Sequence, residues 1–168
     1  SAARSLIFNQ MISQRIEQEN FDKLINGDVL MLAGTQSVFL AETIEQSLTD
    51  RHLSHDVDIT APMWGAGELM TTAQALAFEQ SVAEQQPEFC LGLPRFGLKQ
   101  ERRRIRLVMK EPKIDIAHDV VTLSFFLPPG AYATTIMREL IHYTDLTERV
   151  DVSANRQSDT DSVTKGQL

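Results

Sequence analysis

The sequence predicts an α+β fold of mixed short strands with packed helices. Three observations point there. Residues 2–18 carry apolar side chains at helical spacing. Residues 103–109 and 119–127 alternate in the manner of strands. Proline and glycine signals cut the chain into short elements. A length of 168 residues allows one substantial domain, or a small domain with a piece of another.

In chain order, "AARSLIFNQMISQRIEQ" places Phe8, Met11, Ile12 and Ile16 on one side of an amphipathic helix. The "NGD" and "AGT" turn signals bracket two apolar runs, 28–33 and 36–41, which form a β-hairpin or a β-turn-β corner. Residues 43–53 follow as a helix capped by Thr43. "HDVDITAPMWGAGEL" is a short strand ending at Pro62, then a loop opened by Gly65 and Gly67. Thr71 or Thr72 caps a helix reaching about residue 85, with Leu76, Ala83 and the Ala73/Ala77 pair on its packed side. "PEFCLGLPRFG" is loop or broken helix.

From Arg103 the period changes. Ile105, Leu107 and Met109 alternate with Arg102, Arg104 and Arg106, and this strand is expected to pair with 119–127 across "KEPKIDIAHD". In the second run Val121, Leu123, Phe125 and Leu127 share one side. An "LPPG" turn leads to a helix over 131–143 that buries Ala133, Ile136, Met137 and Leu140. Residues 151–168 carry too few apolar side chains to pack and are expected to form a flexible tail.

The 42% apolar and 23% charged composition is that of a soluble globular protein. Cys90 is the only cysteine, so no intrachain disulfide is possible and a reducing, cytoplasmic setting is expected. No run of about 18 apolar residues suggests a membrane span, and the N-terminus has no signal-peptide pattern. The chain begins without Met and directly in a helical pattern, as a fragment or processed piece would.

Net charge is −7, which speaks against a simple nucleic-acid binder, but the distribution is uneven. Residues 95–113 carry +6, between −9 over 1–94 and −4 over 114–168. Lys99, Arg102, Arg104 and Arg106 are therefore candidates for phosphate contact. The three arginines would project from one strand face at about 6–7 Å intervals. The alternative is an ordinary solvated face. Arg103, between them, would cover apolar surface with its stem or enter a buried ion pair.

Other chemistry is thinly represented. His52 and His55 could share a helix face beside Asp56, but a zinc site wants three or four convergent ligands, so these are expected to be surface histidines and no metal is expected. Cys90 has no basic neighbour in sequence and suits a buried small hydrophobe. "GAG" at 65–67 lacks the spacing of a phosphate loop. Arg138–Glu139 more often braces a helix than performs catalysis. Tyr132, just beyond the double-proline turn at a helix start, is either a core aromatic or a flat wall for a nucleobase taken out of its stack.

Several separated motifs agree in order. "GLKQERRRIRLV" followed by "FFLPPGAYATTIMREL" resembles the C-terminal signature of the tRNA pseudouridine synthase D (TruD) family. "SAARSLIFNQMISQRI", "GDVLMLAG…SVFLAE" and "ITAPMWGAGE" resemble that family's insertion domain. The resemblance covers residues 1–145 and implies an isomerase that converts uridine 13 in the D-arm of tRNA to pseudouridine, without metal or organic cofactor. It implies a TRUD-type insertion domain over 1–98 and the C-terminal part of the catalytic domain, a β-hairpin and helix, over 99–150. It also implies that Tyr132 lines the uracil pocket.

The family's nucleophilic aspartate stands in a glycine-lysine-aspartate-arginine motif that does not occur here. None of Asp22, Asp28, Asp50, Asp56, Asp58, Asp115, Asp119 or Asp145 has that context, so no catalytic aspartate is assigned. The expected partners are tRNA and the N-terminal half of the same enzyme. Competing readings are a stand-alone RNA-binding module without catalysis, and a protein-interaction module built on an exposed apolar edge.

Overall fold

The computed structural model describes residues 2–128 and 131–142. The tail expected at 151–168 lies outside the described residues, as does residue 143 at the end of the expected last helix. Two compact units divide between Met109 and Lys110.

The first unit is built on a four-stranded antiparallel sheet. β1 (Asp28–Leu32) and β2 (Val38–Ala41) form the expected hairpin, with Asp28 opposite Ala41 and Met31 opposite Val38. β3 (Val57–Met63) pairs with the other side of β1, and β4 (Glu101–Arg104) pairs with β3, giving the order β2-β1-β3-β4. β3 is central and buried from Val57 to Pro62. Its alternation sorts two chemistries: Val57, Ile59 and Ala61 join the apolar core, while Asp58 and Thr60 carry buried polar groups on the opposite side.

Four helices complete this unit: α1 (Ala2–Glu17), α2 (Gln46–Leu53), α3 (Ala73–Ala83) and α4 (Pro87–Arg95). The core gathers Ile7, Phe8 and Met11 of α1, Phe78 and Val82 of α3 and Leu93 of α4 over Leu30, Ile59 and Ile105. The α1 stripe is rotated from the expected one. Ile16 is 58% exposed, and Arg15 is buried in its stead. The Arg15 guanidinium bonds the Asp28 carboxylate and lies 5.4 Å from the centre of the Phe78 ring. Burial pushes the Asp28 carboxyl above the ordinary carboxylate range, against the pull of Arg15 and of the Ile25 N–H.

The buried side of α3 also differs from expectation. Ala75, Phe78, Glu79, Val82 and Ala83 are buried, whereas Ala73 and Ala77 are exposed. The cap of α2 falls on Glu45 rather than Thr43, and Thr72 caps α3; neither makes a side-chain cap bond. The "PEFCLGLPRFG" stretch is a helix with Pro94 inside its last turn, ended by Gly97 at φ +74°.

Two glycines mark close approaches. Gly27, at φ +87°, passes so near Thr72 that a Cβ would fall 1.8 Å from the Thr72 carbonyl oxygen. At Gly65 a Cβ would meet the Lys99 backbone at 2.4 Å, because residues 66–100 are stitched there by Ala66 N–H to Leu98 O and Gln100 N–H to Ala66 O. The "WGAG" loop is thereby fastened beside β4.

The second unit holds a two-stranded hairpin and a helix. β5 (Lys110–Ala117) and β6 (Val120–Phe126) pair antiparallel, with Ile114 opposite Leu123 and Ile116 opposite Val121. This corrects the expected pairing. The 119–127 run is a strand, but its partner is "KEPKIDIA", not the arginine strand, which ends at Arg104 and belongs to the first unit's sheet. Pro112 sits in a register irregularity between Lys110 and Lys113, the place in a sheet where a residue lacking an N–H is tolerated. One hairpin face collects Ile114, Ile116, Val121 and Leu123, and Ile114 and Ile116 remain 67% and 70% exposed. α5 (Ala133–Leu140) buries Ile136, while Ala133 and Leu140 are exposed.

Candidate functional site

The basic strand is where the expectation from sequence and the structure part most. Arg102, Arg104 and Arg106 do share one side, but that side meets carboxylates of the chain itself. Arg102 forms a bidentate pair with Glu79 of α3, at 2.8 and 3.0 Å, and also donates to Thr60 O and Thr60 Oγ1 of β3. Both side chains of the pair are only 4% exposed. Glu79 accepts a third bond from Thr71 Oγ1 at 2.9 Å.

Arg104 and Arg106 converge on Asp58, at 3.4 and 2.6 Å. Arg104 further donates to the carbonyls of Leu32 and Thr35, and Arg106 to that of His52. These guanidiniums therefore hold β4 against β3 and against the turns around it. A phosphate would have to compete with carboxylates already in place. The expectation of three outward-facing arginines is corrected to three inward-facing ones.

Lys99 is exposed and has no ion-pair partner among the described residues. Arg103 is exposed too, with its guanidinium 5.6 Å from the centre of the Phe8 ring, so it covers apolar surface as expected.

His52 is buried, not a surface histidine. Its two ring nitrogens meet the carbonyl oxygens of Val57 at 3.1 Å and Asp22 at 3.2 Å. His55 follows the end of α2 at φ +62°. No group of three or more potential metal-binding side chains occurs among the described residues.

An open groove of about 820 Å³, which sequence reading did not find, lies between the "WGAG" loop, α3 and α4. Trp64, Leu91 and Pro94 supply apolar wall, and Gln80, Glu84 and Gln100 supply polar groups. Trp64 is fixed by its indole N–H, which donates to Cys90 O at 3.2 Å. Cys90 borders the groove half-buried, and burial raises its thiol pKa, which makes it a poor nucleophile. The signal in the sequence was the loop held open by two glycines next to the only tryptophan.

In the second unit Tyr132 occupies the N-cap of α5, at φ −115° and ψ 128°, one residue before the first helical turn. Its carbonyl accepts from the Thr135 N–H at 3.1 Å, and its side chain is 71% exposed. Tyr132 is thus no core aromatic of the described chain. It offers a ring face at a helix start, where unpaired N–H groups lie.

Comparison with known proteins bears on this arrangement. The sequence profile described as tRNA pseudouridine synthase D (TruD) matches residues 1–140. The chain is 52% identical over 172 residues to a tRNA pseudouridine synthase D of Colwellia psychrerythraea, covering 94% of this chain and 47% of the relative. It is 42% identical over 162 residues to that of Aeromonas salmonicida, covering 96% of this chain and 45% of the relative. The chain thus spans about half the length of the curated relatives it matches. The crystal structure of a Methanosarcina mazei protein described as a tRNA pseudouridine synthase D superposes with a TM-score of 0.65 at 23% identity, over 81% of this chain and 36% of that one, a likeness of fold.

Proposed function

We infer, from the fact that this chain belongs to the tRNA pseudouridine synthase D (TruD) family, that it is part of a cytoplasmic isomerase converting uridine 13 in the D-arm of tRNA to pseudouridine. The observation that carries the reading is the family match over residues 1–140, which takes in both units and reaches α5. On this reading the first unit contains the insertion domain. The hairpin and α5 of the second belong to the catalytic domain.

The reaction needs a carboxylate that acts while the N-glycosidic bond breaks, a pocket that keeps the freed uracil while it turns, and a return bond from ribose to carbon 5. We assign Tyr132 to the pocket. A ring face at that point holds the pyrimidine in the plane it needs, and the work is done by the face rather than the hydroxyl. The nucleophilic aspartate is assigned to sequence outside this chain, since none of its own aspartates stands in the family's motif. Asp28 and Asp58, the buried ones among the described residues, are committed to Arg15 and to Arg104 and Arg106.

The partner that supplies the aspartate also has a surface to cover. An isolated two-stranded hairpin is marginal in water, and nothing among the described residues shields Ile114, Ile116 and Val121. Docking of the N-terminal half on that face would remove them from water. Of the expected RNA contacts we retain Lys99; Arg102, Arg104 and Arg106 serve RNA binding by fixing the strand that follows it.

The test of the pocket is substitution at Tyr132 in the enzyme assembled from both halves. Tyr132→Phe keeps pseudouridine formation near wild type, whereas Tyr132→Ala lowers it by roughly 10- to 100-fold, the range of one lost base stack. Equal rates for the alanine and phenylalanine variants would remove Tyr132 from the pocket.

A further inference from the structure

Phe96 is the most exposed large apolar side chain among the described residues, at 83%. It stands at the C-cap of α4, between Pro94 and Gly97, in a turn closed by Phe96 N–H to Leu93 O and Gly97 N–H to Pro94 O. The backbone at this point is therefore fixed while the ring meets water.

Its surroundings in charge are unlike the rest of the unit. Residues 1–94 carry −9. Arg4, Arg15, Arg51, Arg102, Arg104 and Arg106 of the first unit are held in ion pairs. In the first unit the cations without an acidic partner among the described residues are Lys23, Arg95, Lys99 and Arg103. Arg103 is laid over Phe8 and Lys23 stands in the connection between α1 and β1, which leaves Arg95 and Lys99, one on either side of Phe96 in the sequence. A polyanion touching this acidic unit would be repelled over most of it and attracted here. A scattered exposed phenylalanine needs no explanation. One held in a fixed turn between two cations that have no acidic partner among the described residues combines what single-stranded nucleic acid requires: a ring for a base and positive charge for the neighbouring phosphates.

We propose that Phe96 is a stacking platform for an unpaired RNA base, with Arg95 and Lys99 holding the adjacent phosphates. The inference rests on the reading that this chain's partner is tRNA, and it names where the first unit touches it. The ring is not part of the core, so its removal leaves the fold intact.

The test measures binding of the chain to fluorescently labelled oligouridine, with no modification chemistry involved. Phe96→Ala weakens binding about tenfold and leaves the salt dependence unchanged. Phe96→Trp retains affinity, and oligouridine quenches its emission beyond the change seen for Trp64 in the wild type. Replacing Arg95 and Lys99 together by alanine flattens the slope of log affinity against log salt by about 1.4, since each single-strand phosphate contact contributes about 0.7. Wild-type affinity in Phe96→Ala, or no binding of oligouridine by the wild-type chain, overturns the proposal. So does a Phe96→Ala defect confined to binding the enzyme's other half, because the ring would then be a protein contact. Binding through Phe96 in a chain that yields no pseudouridine even with its other half supplied would leave this proposal standing and remove the synthase reading.

Discussion

Replacing Glu79 with alanine lowers the folding stability of the chain by about 3–5 kcal/mol, the usual cost of breaking a buried ion pair from one side. The loss is large because it falls on Arg102, not only on the missing carboxylate. Arg102 keeps its bonds to Thr60, but its charge is left in an interior where the side chain is 4% exposed. Thr71 loses its acceptor in the same substitution. Urea titration followed by circular dichroism gives the size of the effect. A double variant, Glu79→Leu with Arg102→Met, recovers most of the loss, because two apolar side chains of similar volume leave no orphaned charge. If Glu79→Ala unfolds at the wild-type urea concentration, the bridge does not hold β4 to α3 as described.

Gly27→Ala is the second severe substitution. Two independent penalties meet at one position. An L-residue at φ +87° carries about 1–2 kcal/mol of left-handed strain. The new methyl also collides with the Thr72 carbonyl, a backbone group that cannot swing aside, and forced overpacking adds about 1–3 kcal/mol. The same contact carries a hydrogen bond, Thr72 N–H to Gly27 O at 3.1 Å, so moving apart to relieve the clash breaks it. Gly34 supplies the control. It sits at φ +71° with nothing within 4 Å, so Gly34→Ala reports the strain alone. The difference between the two variants isolates the close approach. Equal melting temperatures for both would mean that the Thr72 backbone is free to move.

Most elements other than α4 and β5 were legible in the sequence because they depend on local rules. Period-2 alternation located β6, turn signals around two apolar runs located the β1–β2 hairpin, and helical spacing located α1 and α3. What failed depended on partners far along the chain. Alternation put Arg102, Arg104 and Arg106 on one face, but it cannot say whether that face looks out or in. Three arginines in a row suggest water, since arginine is rarely buried unless paired. Their partners, Glu79 and Asp58, lie far upstream, and no local spacing announces them.

The same distance problem misassigned the hairpin. Ile114 and Ile116 are only two apolar positions in a stretch holding Pro112 and several charges, so "KEPKIDIAHD" looked like a connector. The irregularity at Lys110–Lys113 lets a strand include that proline. In α1, Arg15 displaced Ile16 from the interior because Asp28 and Phe78 wait there. Tyr132 was legible as a helix-start residue, although the helix begins two positions later than expected, at Ala133.

The most direct measurement incubates the purified chain with unmodified tRNA carrying uridine at position 13, and detects pseudouridine by mass spectrometry. One sample contains the chain alone, and a second also contains the N-terminal half of the enzyme. Product in the second sample and none in the first is the expected result. Pseudouridine formed by the chain alone would mean that the bond-breaking carboxylate is among its own residues, and would contradict the division of labour proposed for the two halves.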